Sequence, residues 1–150
     1  MTALLARLKD SLADRYSIDS AVARGGMATV FLAVDLKHQR SVAIKVLHPE
    51  LATSLGVERF LREITTAAGL NHPHILALYD SGQAEDLLYY VMPYIEGETL
   101  RDRLQREGQL SIVDTVRIAS EIAEALGYAH SRGVVHRDIK PENIDRKSVV

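Results

Sequence analysis

Residues 134–143 of the chain read Val-Val-His-Arg-Asp-Ile-Lys-Pro-Glu-Asn. This run follows a long stretch of helical periodicity at 111–131, so it is predicted to form a loop after that helix. The loop carries a carboxylate at Asp138, an ammonium at Lys140 and an amide at Asn143. That combination at that spacing is typical of phosphoryl transfer, where the three groups meet the substrate hydroxyl, the moving phosphate and a metal ion, respectively.

The composition indicates a globular domain. The 150 residues are 47% hydrophobic and 25% charged, with a formal net charge of -2, so no basic nucleic-acid-binding face is indicated. The chain has no cysteine, which excludes disulfides and thiolate metal sites. No apolar run reaches membrane-spanning length, and the N-terminus lacks a secretory signal. We therefore expect no nucleic-acid partner, no membrane segment and a cytoplasmic location.

The periodicity of the chain changes from strand-rich to helical along its length. Helices are predicted at 3–13, 56–68, 99–106 and 111–131. Strands are predicted from about residue 16 to 47, notably at 29–34 and 41–47, and again at 75–79 and 87–93. The outline is a small antiparallel sheet with one helix, followed by the start of a helical lobe.

The first and last predicted helices carry apolar stripes. The first has Leu4, Leu5, Leu8 and Leu12 on one side, which predicts packing on the segment that follows. The last is expected to begin at a capping box of Ser111 and Asp114 and to end at Gly133. Its stripe, expected to face a core, consists of Val116, Ala119, Ile122, Ala123 and Leu126.

Lys45 lies on the strand predicted at 41–47, where it shares a face with Ala43. An ammonium on a mostly apolar strand is costly unless a partner or a ligand anion meets it. From the strand alone, an edge lysine that protects against aggregation is the favoured alternative.

Glu63 supplies a potential partner for that ammonium. The predicted inward face of its helix is marked by Phe60, Ile64 and Ala67. A carboxylate among these residues needs a cation, and Lys45 is the obvious candidate. The alternative is a surface pair with Arg59, one turn earlier.

The turn at 23–30 reads Ala-Arg-Gly-Gly-Met-Ala-Thr-Val. Small residues there allow backbone N–H groups to approach phosphates. Many glycine hairpins look similar, but the position between two strands and ahead of Lys45 makes this pattern more specific.

Taken together, these features resemble the bacterial serine/threonine protein kinase family of the Hanks type. The resemblance covers about 16–144. It is carried by the Gly-rich turn at 23–30, the Val-Ala-Ile-Lys strand at 42–45, the helical Glu63, the hinge-like run at 90–97 and the catalytic-loop motif at 136–143.

The resemblance implies an α+β protein-kinase fold that occupies the chain as a partial kinase domain, 1–150. It implies a complete N-lobe of antiparallel sheet and one helix at about 16–92, a hinge at 93–97 and the first part of a helical C-lobe at 98–144. The nucleotide cleft is expected between the lobes. Residues 145–150 form a tail that departs from the family pattern.

The resemblance also implies a reaction, the transfer of the ATP γ-phosphate to a Ser or Thr hydroxyl of a protein substrate, with Mg²⁺ as the metal cofactor. Asp138 is implied to orient the hydroxyl, Lys140 to steady the γ-phosphate and Asn143 to bind Mg²⁺, while His136 braces the loop. The residues implied to bind the nucleotide are Ala23, Gly25, Gly26, Ala28, Val30, Ala43, Lys45, Glu63, Met92, Pro93 and Ile95. Lys140 is the residue typical of serine/threonine kinases.

Three departures from the family pattern affect these expectations. Ala23 and Ala28 replace two loop glycines, which predicts a stiffer loop because alanine disfavours positive φ by about 1 kcal/mol. Pro93 replaces an acidic hinge residue but retains the carbonyl. After Ile144 the chain reads Asp-Arg-Lys-Ser-Val-Val instead of continuing to an Asp-Phe-Gly motif, so we expect a truncated form that is catalytically silent and poorly stable.

Two alternatives compete with an active kinase. The first is a non-catalytic nucleotide-binding or scaffold module, against which the intact Lys45, Asp138 and Asn143 argue. The second is a fragment of a longer kinase sequence, which the abrupt change at 145–148 favours.

Overall fold

A computed structural model describes residues 2–136 and 139–145 of the chain, with side chains for all of these except Thr2 and Ser54. The chain forms two compact units. The first consists of Met1–Ala67 and Leu78–Tyr94, and the second of Ala68–Ala77 and Ile95–Val150.

The first unit is built on a five-stranded antiparallel sheet with the strand order β1-β2-β3-β5-β4. Its strands are β1 (Tyr16–Arg24), β2 (Ala28–Asp35), β3 (Arg40–Leu47), β4 (Asp80–Ala84) and β5 (Leu87–Pro93). Its helices are α1 (Thr2–Leu12) and α2 (Ser54–Ala68).

One face of the sheet packs on α1. Leu8 and Leu12 of α1 are buried together with inward residues of all five strands, and Leu4 and Leu5 pack against this cluster. The stripe predicted on the first helix is therefore the one that packs. The strand residues of the cluster are Tyr16, Ile18, Phe31, Ala33, Val42, Ile44, Val46, Ala84, Leu87, Tyr89 and Val91.

The opposite face of the sheet meets α2. Strand residues alternate between faces, so Tyr90 points away from its neighbour Tyr89. The Tyr90 ring lies against Phe60 of α2, with ring centroids 5.4 Å apart, and Phe60 is 2% exposed. Phe60 thus anchors α2 to the sheet, as its place on the predicted inward face indicated.

The strand predicted at 75–79 is wrong, because β4 is Asp80–Ala84. The Tyr79 N–H donates to the Val91 carbonyl at 2.7 Å, so pairing with β5 starts at the end of the apolar run and continues through polar residues. β4 is one of the two edge strands of the sheet, where side chains that face solvent are favoured over a continuous apolar run. The apolar run at 75–79 lies directly before β4, so the prediction placed the strand too early in the sequence.

The second unit contains α3 (Leu100–Glu107) and α4 (Ile112–Ser131). Thr99 caps α3 in a capping box, with its hydroxyl accepting from the Asp102 N–H and its own N–H donating to the Asp102 carboxylate. Ser111 caps α4 by accepting from the Asp114 N–H at 3.1 Å. Arg103 of α3 donates to Asp114 at 2.6 Å, and this hydrogen bond lowers the pKa of the Asp114 carboxyl.

Gly133 follows the C-terminus of α4 with a φ of 77°, in the left-handed region that favours glycine. Its N–H donates to the His130 carbonyl at 3.0 Å. The predicted end of the helix is therefore correct.

The apolar stripe predicted on α4 is only partly covered. Val116 is 59% exposed, and the buried residues of the helix are Ala125 and Ala129. Ile122 and Leu126 are half-buried, whereas Ala119 and Ala123 are exposed. The line of burial therefore runs along a neighbouring side of the helix.

The elements confirm the predicted α+β class. Within residues 2–136 and 139–145, no helix has the length and apolar character needed to cross a membrane.

Candidate functional site

The α2-facing side of the sheet carries the candidate nucleotide-binding residues of the first unit. Residues paired directly across antiparallel strands point to the same face. Val30 of β2 pairs with Lys45 of β3, and Lys45 pairs in turn with Tyr90 of β5. One row along, Ala43 pairs with Met92. The structure therefore brings Val30, Ala43, Lys45 and Met92 to a single face.

Lys45 and Glu63 form an ion pair. The Lys45 Nζ lies 2.8 Å from Glu63 Oε1, which joins β3 to α2. The Glu63 side chain is 49% exposed and that of Lys45 27%, so the expected burial of Glu63 is not found. Glu63 lies at the margin of the helix face that Phe60 anchors, where its carboxylate reaches Lys45 and keeps contact with solvent.

Tyr90 is a third member of this cluster, and no motif in the sequence marks it. Its hydroxyl donates to Glu63 Oε1 at 2.7 Å, and the Lys45 Nζ lies 5.6 Å from the centre of its ring. Burial, the negative charge of Glu63 and the hydrogen bond to it all raise the pKa of Tyr90. The hydroxyl therefore stays protonated and donating at neutral pH.

The Gly-rich turn joins β1 to β2. The Gly25 N–H donates to the Ala28 carbonyl at 2.9 Å and closes the turn. Ala23 lies within β1 and Ala28 opens β2. Among the described residues, the non-glycine positions with positive φ are Gln39 and Glu85. The stiffening expected from alanine at positive φ does not arise, because both alanines have strand conformations.

His48 holds the far side of this turn. Its N–H donates to the Met27 carbonyl at 2.9 Å, and its Nε2 lies 2.8 Å from the Thr29 hydroxyl. Thr29 and His48 are both buried. No spacing motif in the sequence marks this contact, because it depends on the β2–β3 register.

The hinge-like residues lie at the end of the sheet. Met92 is buried and Pro93 is half-buried in β5, where Pro93 pairs with Val42. Ile95 is half-buried and is the first residue of the second unit after β5. A proline is compatible with this position because β5 ends there and its carbonyl is retained.

The catalytic-loop motif belongs to the second unit. A 3-10 turn at Pro141–Asn143 follows the exposed Lys140, whose carbonyl accepts from the Asn143 N–H at 2.9 Å. Two contacts tie this segment to the start of α3. The Leu100 N–H donates to the Ile144 carbonyl at 2.8 Å, and the Arg101 guanidinium bonds the Glu142 carboxylate and lowers its pKa.

The principal catalytic candidate, Asp138, lies outside the described residues, as does Arg137. His136 and Asn143 are described and half-buried.

The donor chemistry fits Mg-ATP. Lys45 offers an ammonium fixed by two strands and a helix, which suits a phosphate. Asn143 offers an amide oxygen, a hard ligand of the kind that Mg²⁺ accepts. No group of three or more His, Cys, Asp or Glu side chains within the described ranges could hold a metal alone. A bound Mg²⁺ would therefore take ligands from nucleotide phosphates, as it usually does in phosphoryl-transfer sites.

Comparison with known proteins gives a consistent result. The chain matches the protein kinase domain family over residues 16–146. It is 46% identical over 134 residues to a Bifidobacterium longum protein named probable serine/threonine-protein kinase pknA2, covering 87% of this chain and 18% of that protein. It is 44% identical over 138 residues to serine/threonine-protein kinase PknB of Mycobacterium tuberculosis, covering 89% and 22%. The chain thus spans about a fifth of the length of these curated relatives.

Among solved structures, the chain is similar to the Mycobacterium tuberculosis PknI kinase domain, with a TM-score of 0.77 and 31% sequence identity. The match covers 89% of this chain and 56% of that structure. These findings confirm the predicted family resemblance and the predicted fold, with its kinase-type sheet and partial helical lobe.

Proposed function

Because the chain belongs to the protein kinase family, we propose that it provides the nucleotide-binding and catalytic-loop portion of a serine/threonine protein kinase. The reaction is the transfer of the ATP γ-phosphate to a Ser or Thr hydroxyl of a protein. The observation that carries the proposal is the Lys45–Glu63 pair, at 2.8 Å, on the same sheet face as Val30 and Ala43.

In the first unit, Lys45 contacts the α and β phosphates and Glu63 fixes Lys45. Val30 and Ala43 wall the adenine, and the hinge backbone at Met92, Pro93 and Ile95 reads it. The Gly-rich turn covers the phosphates through backbone N–H groups. Its residues with this role are Ala23, Gly25, Gly26 and Ala28.

In the second unit, Asp138 orients the substrate hydroxyl and accepts its proton, while Lys140 steadies the γ-phosphate. Asn143 holds Mg²⁺ by its amide oxygen. When bound, Mg²⁺ neutralises charge on the phosphate oxygens. The tie between Glu142 and Arg101 of α3 supports a fixed position for the Asn143 backbone.

The assignment to serine and threonine rests on Lys140 and on the names of the relatives. The partners are ATP and a protein substrate, and the location is the cytoplasm, where ATP is available. A non-catalytic scaffold is not favoured, because the relatives that match the chain are named as kinases.

Nucleotide binding tests the first part of the proposal. Lys45→Met removes a phosphate contact but leaves the adenine contacts, so it should weaken Mg-ATP binding by about ten- to a hundredfold and change adenosine binding little. Calorimetric titration of the 150-residue chain with both ligands measures this. Lys37→Met, at an exposed turn position, is the matched control. Equal losses for the two ligands would contradict the role of Lys45.

Phosphotransfer tests the second part. Joining the chain after Ile144 to the remaining portion of the PknI kinase domain should give phosphorylation of Ser or Thr in a protein substrate. Asp138→Asn should lower kcat by about 10²–10⁴-fold with ATP affinity nearly unchanged, while Asp19→Asn, an exposed carboxylate of β1, should have no effect. Undiminished turnover in Asp138→Asn would refute the assignment. The same assay on the unextended chain tests the sequence-based prediction that it is silent.

A further inference from the structure

Tyr90 occupies a central position on the α2-facing side of the sheet. It lies in β5 directly across from Lys45 of β3, and it is 6% exposed. Its ring is fixed by Phe60 of α2, with ring centroids 5.4 Å apart. The hydroxyl therefore projects from a rigid buried ring and has little rotational freedom.

Glu63 is much more exposed to solvent than Tyr90. Its side chain is 49% exposed and projects from a helix, so holding it in one rotamer costs conformational entropy. An ion pair with this exposure contributes little by itself, since solvent screens the attraction and both long side chains must be ordered. The attraction to the Lys45 ammonium alone therefore favours a single rotamer of the Glu63 side chain only weakly.

The Tyr90 hydroxyl adds a further constraint on the Glu63 carboxylate. It donates to Glu63 Oε1 at 2.7 Å, and the same oxygen accepts from the Lys45 Nζ at 2.8 Å. An ionised carboxylate can only accept, whereas a protonated tyrosine hydroxyl can donate. Two donors on different strands thus converge on one oxygen of α2, and a hydrogen bond to a charged acceptor is stronger than one between neutral groups.

We propose that Tyr90 is a positioning residue, whose hydroxyl holds the Glu63 carboxylate at the Lys45 ammonium. The expected effect of Tyr90 on nucleotide binding rests on the proposed function, whereas its expected effect on the reactivity of Lys45 does not. Without the hydroxyl, Glu63 turns toward solvent for part of the time, and Lys45 loses its counter-ion for that fraction.

The test measures the reactivity of Lys45 without any nucleotide. An amine-specific acylating reagent is added to the 150-residue chain and the modification rate of Lys45 is followed by mass spectrometry, with Lys37 as the internal reference. The Glu63 carboxylate engages the Lys45 Nζ in a hydrogen bond at 2.8 Å. Loosening that contact leaves the amine free to meet the reagent, so Tyr90→Phe should raise the Lys45 rate by about three- to tenfold. Glu63→Gln should produce a similar increase.

The matched control is Tyr89→Phe. Tyr89 precedes Tyr90 in β5, is 3% exposed and faces α1, so the loss of its hydroxyl should leave the Lys45 rate within about twofold of the unsubstituted chain. Adding Tyr90→Phe to Glu63→Gln should give no further increase, because the hydroxyl acts through the carboxylate. An unchanged Lys45 rate in Tyr90→Phe, or full additivity of the two substitutions, would overturn the proposal.

A second measurement separates this inference from the proposed function. Tyr90→Phe should weaken Mg-ATP binding by about three- to tenfold and leave adenosine binding unchanged. A raised Lys45 rate without weaker Mg-ATP binding would uphold the positioning role and count against Lys45 as a phosphate-binding residue.

Discussion

Tyr89 and Tyr90 are neighbours in β5, yet their side chains lie on opposite faces of the sheet and have different surroundings. Tyr89 belongs to the apolar cluster under α1. Tyr90 is nearly as buried, but its hydroxyl bonds a half-exposed carboxylate of α2. The first face of the sheet is closed by an apolar core with the Arg7–Asp86 ion pair at its rim, whereas the second combines an aromatic anchor with an ion pair beside the candidate site.

This difference separates stability from chemistry within one small unit. Apolar burial under α1 supplies a favourable free energy of folding in proportion to the area removed from water. Polar groups on the α2 side add little to that sum but keep an ammonium accessible to a ligand. Substitutions on the two faces should therefore differ in their effects on the free energy of unfolding and on ligand binding.

The largest effect is expected in α1. Leu8→Ala removes a side chain that is 0% exposed and leaves a cavity against the sheet, so the free energy of unfolding should fall by about 2–5 kcal/mol. Leu55→Ala in α2, where the side chain is 67% exposed, should change it by less than about 0.5 kcal/mol. Urea unfolding of both variants measures the contrast. Similar values for the two would show that α1 does not cover the sheet in solution.

The α1 prediction concerns a helix outside the region that matches the kinase family, which begins at residue 16. Its role followed from periodicity alone, because four leucines at helical spacing had to be buried somewhere. The ends of α3 and α4 were also predictable, since Thr99, Ser111 and Gly133 have conformations set by local chemistry. β4 was not predictable in this way, because an edge strand is defined by its pairing with β5 and its own sequence is polar.

The candidate site also combines features that the sequence predicts with features that only the fold determines. Lys45 and Glu63 were paired because a carboxylate on the predicted inward face of the helix needs a cation, and the pair is present at 2.8 Å. The exposure of Glu63 was not predictable, because it depends on the angle at which Phe60 seats α2. The contact of Tyr90 with Glu63 was missed because the register that places Tyr90 opposite Lys45 cannot be read from either strand alone.

A smaller effect is expected at alkaline pH. The pKa of Tyr16 is raised to about 12, and burial also raises the pKa values of Tyr89 and Tyr90. The unfolded chain ionises its tyrosines near pH 10, so the folded state loses relative stability as pH rises from about 10 toward the folded pKa values. The slope approaches about 1.4 kcal/mol per pH unit for each such group.

Comparing Tyr90→Phe with Tyr89→Phe shows how much each face of the sheet contributes to this loss of stability at alkaline pH. Each substitution should make the loss of unfolding free energy between pH 9 and 11 shallower, and Tyr90→Phe should do so more, because Glu63 adds a negative charge beside Tyr90. Urea unfolding across that range at fixed ionic strength is the measurement. A profile that neither substitution alters would mean that both hydroxyls reach solvent.

The smallest effect on stability is expected for the ion pair itself. Glu63→Gln removes the attraction to Lys45 but keeps an oxygen that can accept from Tyr90, and the pair is partly solvated. Its cost should therefore be about 0.5–1 kcal/mol, well below the roughly 3–5 kcal/mol of a fully buried pair. Glu58→Gln, at an exposed carboxylate of the same helix, should cost less than about 0.3 kcal/mol. Unfolding by urea at low and moderate salt compares the two, and the Glu63 effect should shrink as salt screens the pair. A loss near 3 kcal/mol that salt does not reduce would place the pair in a desolvated interior, and the α2 side of the sheet would then contribute to stability as the α1 side does.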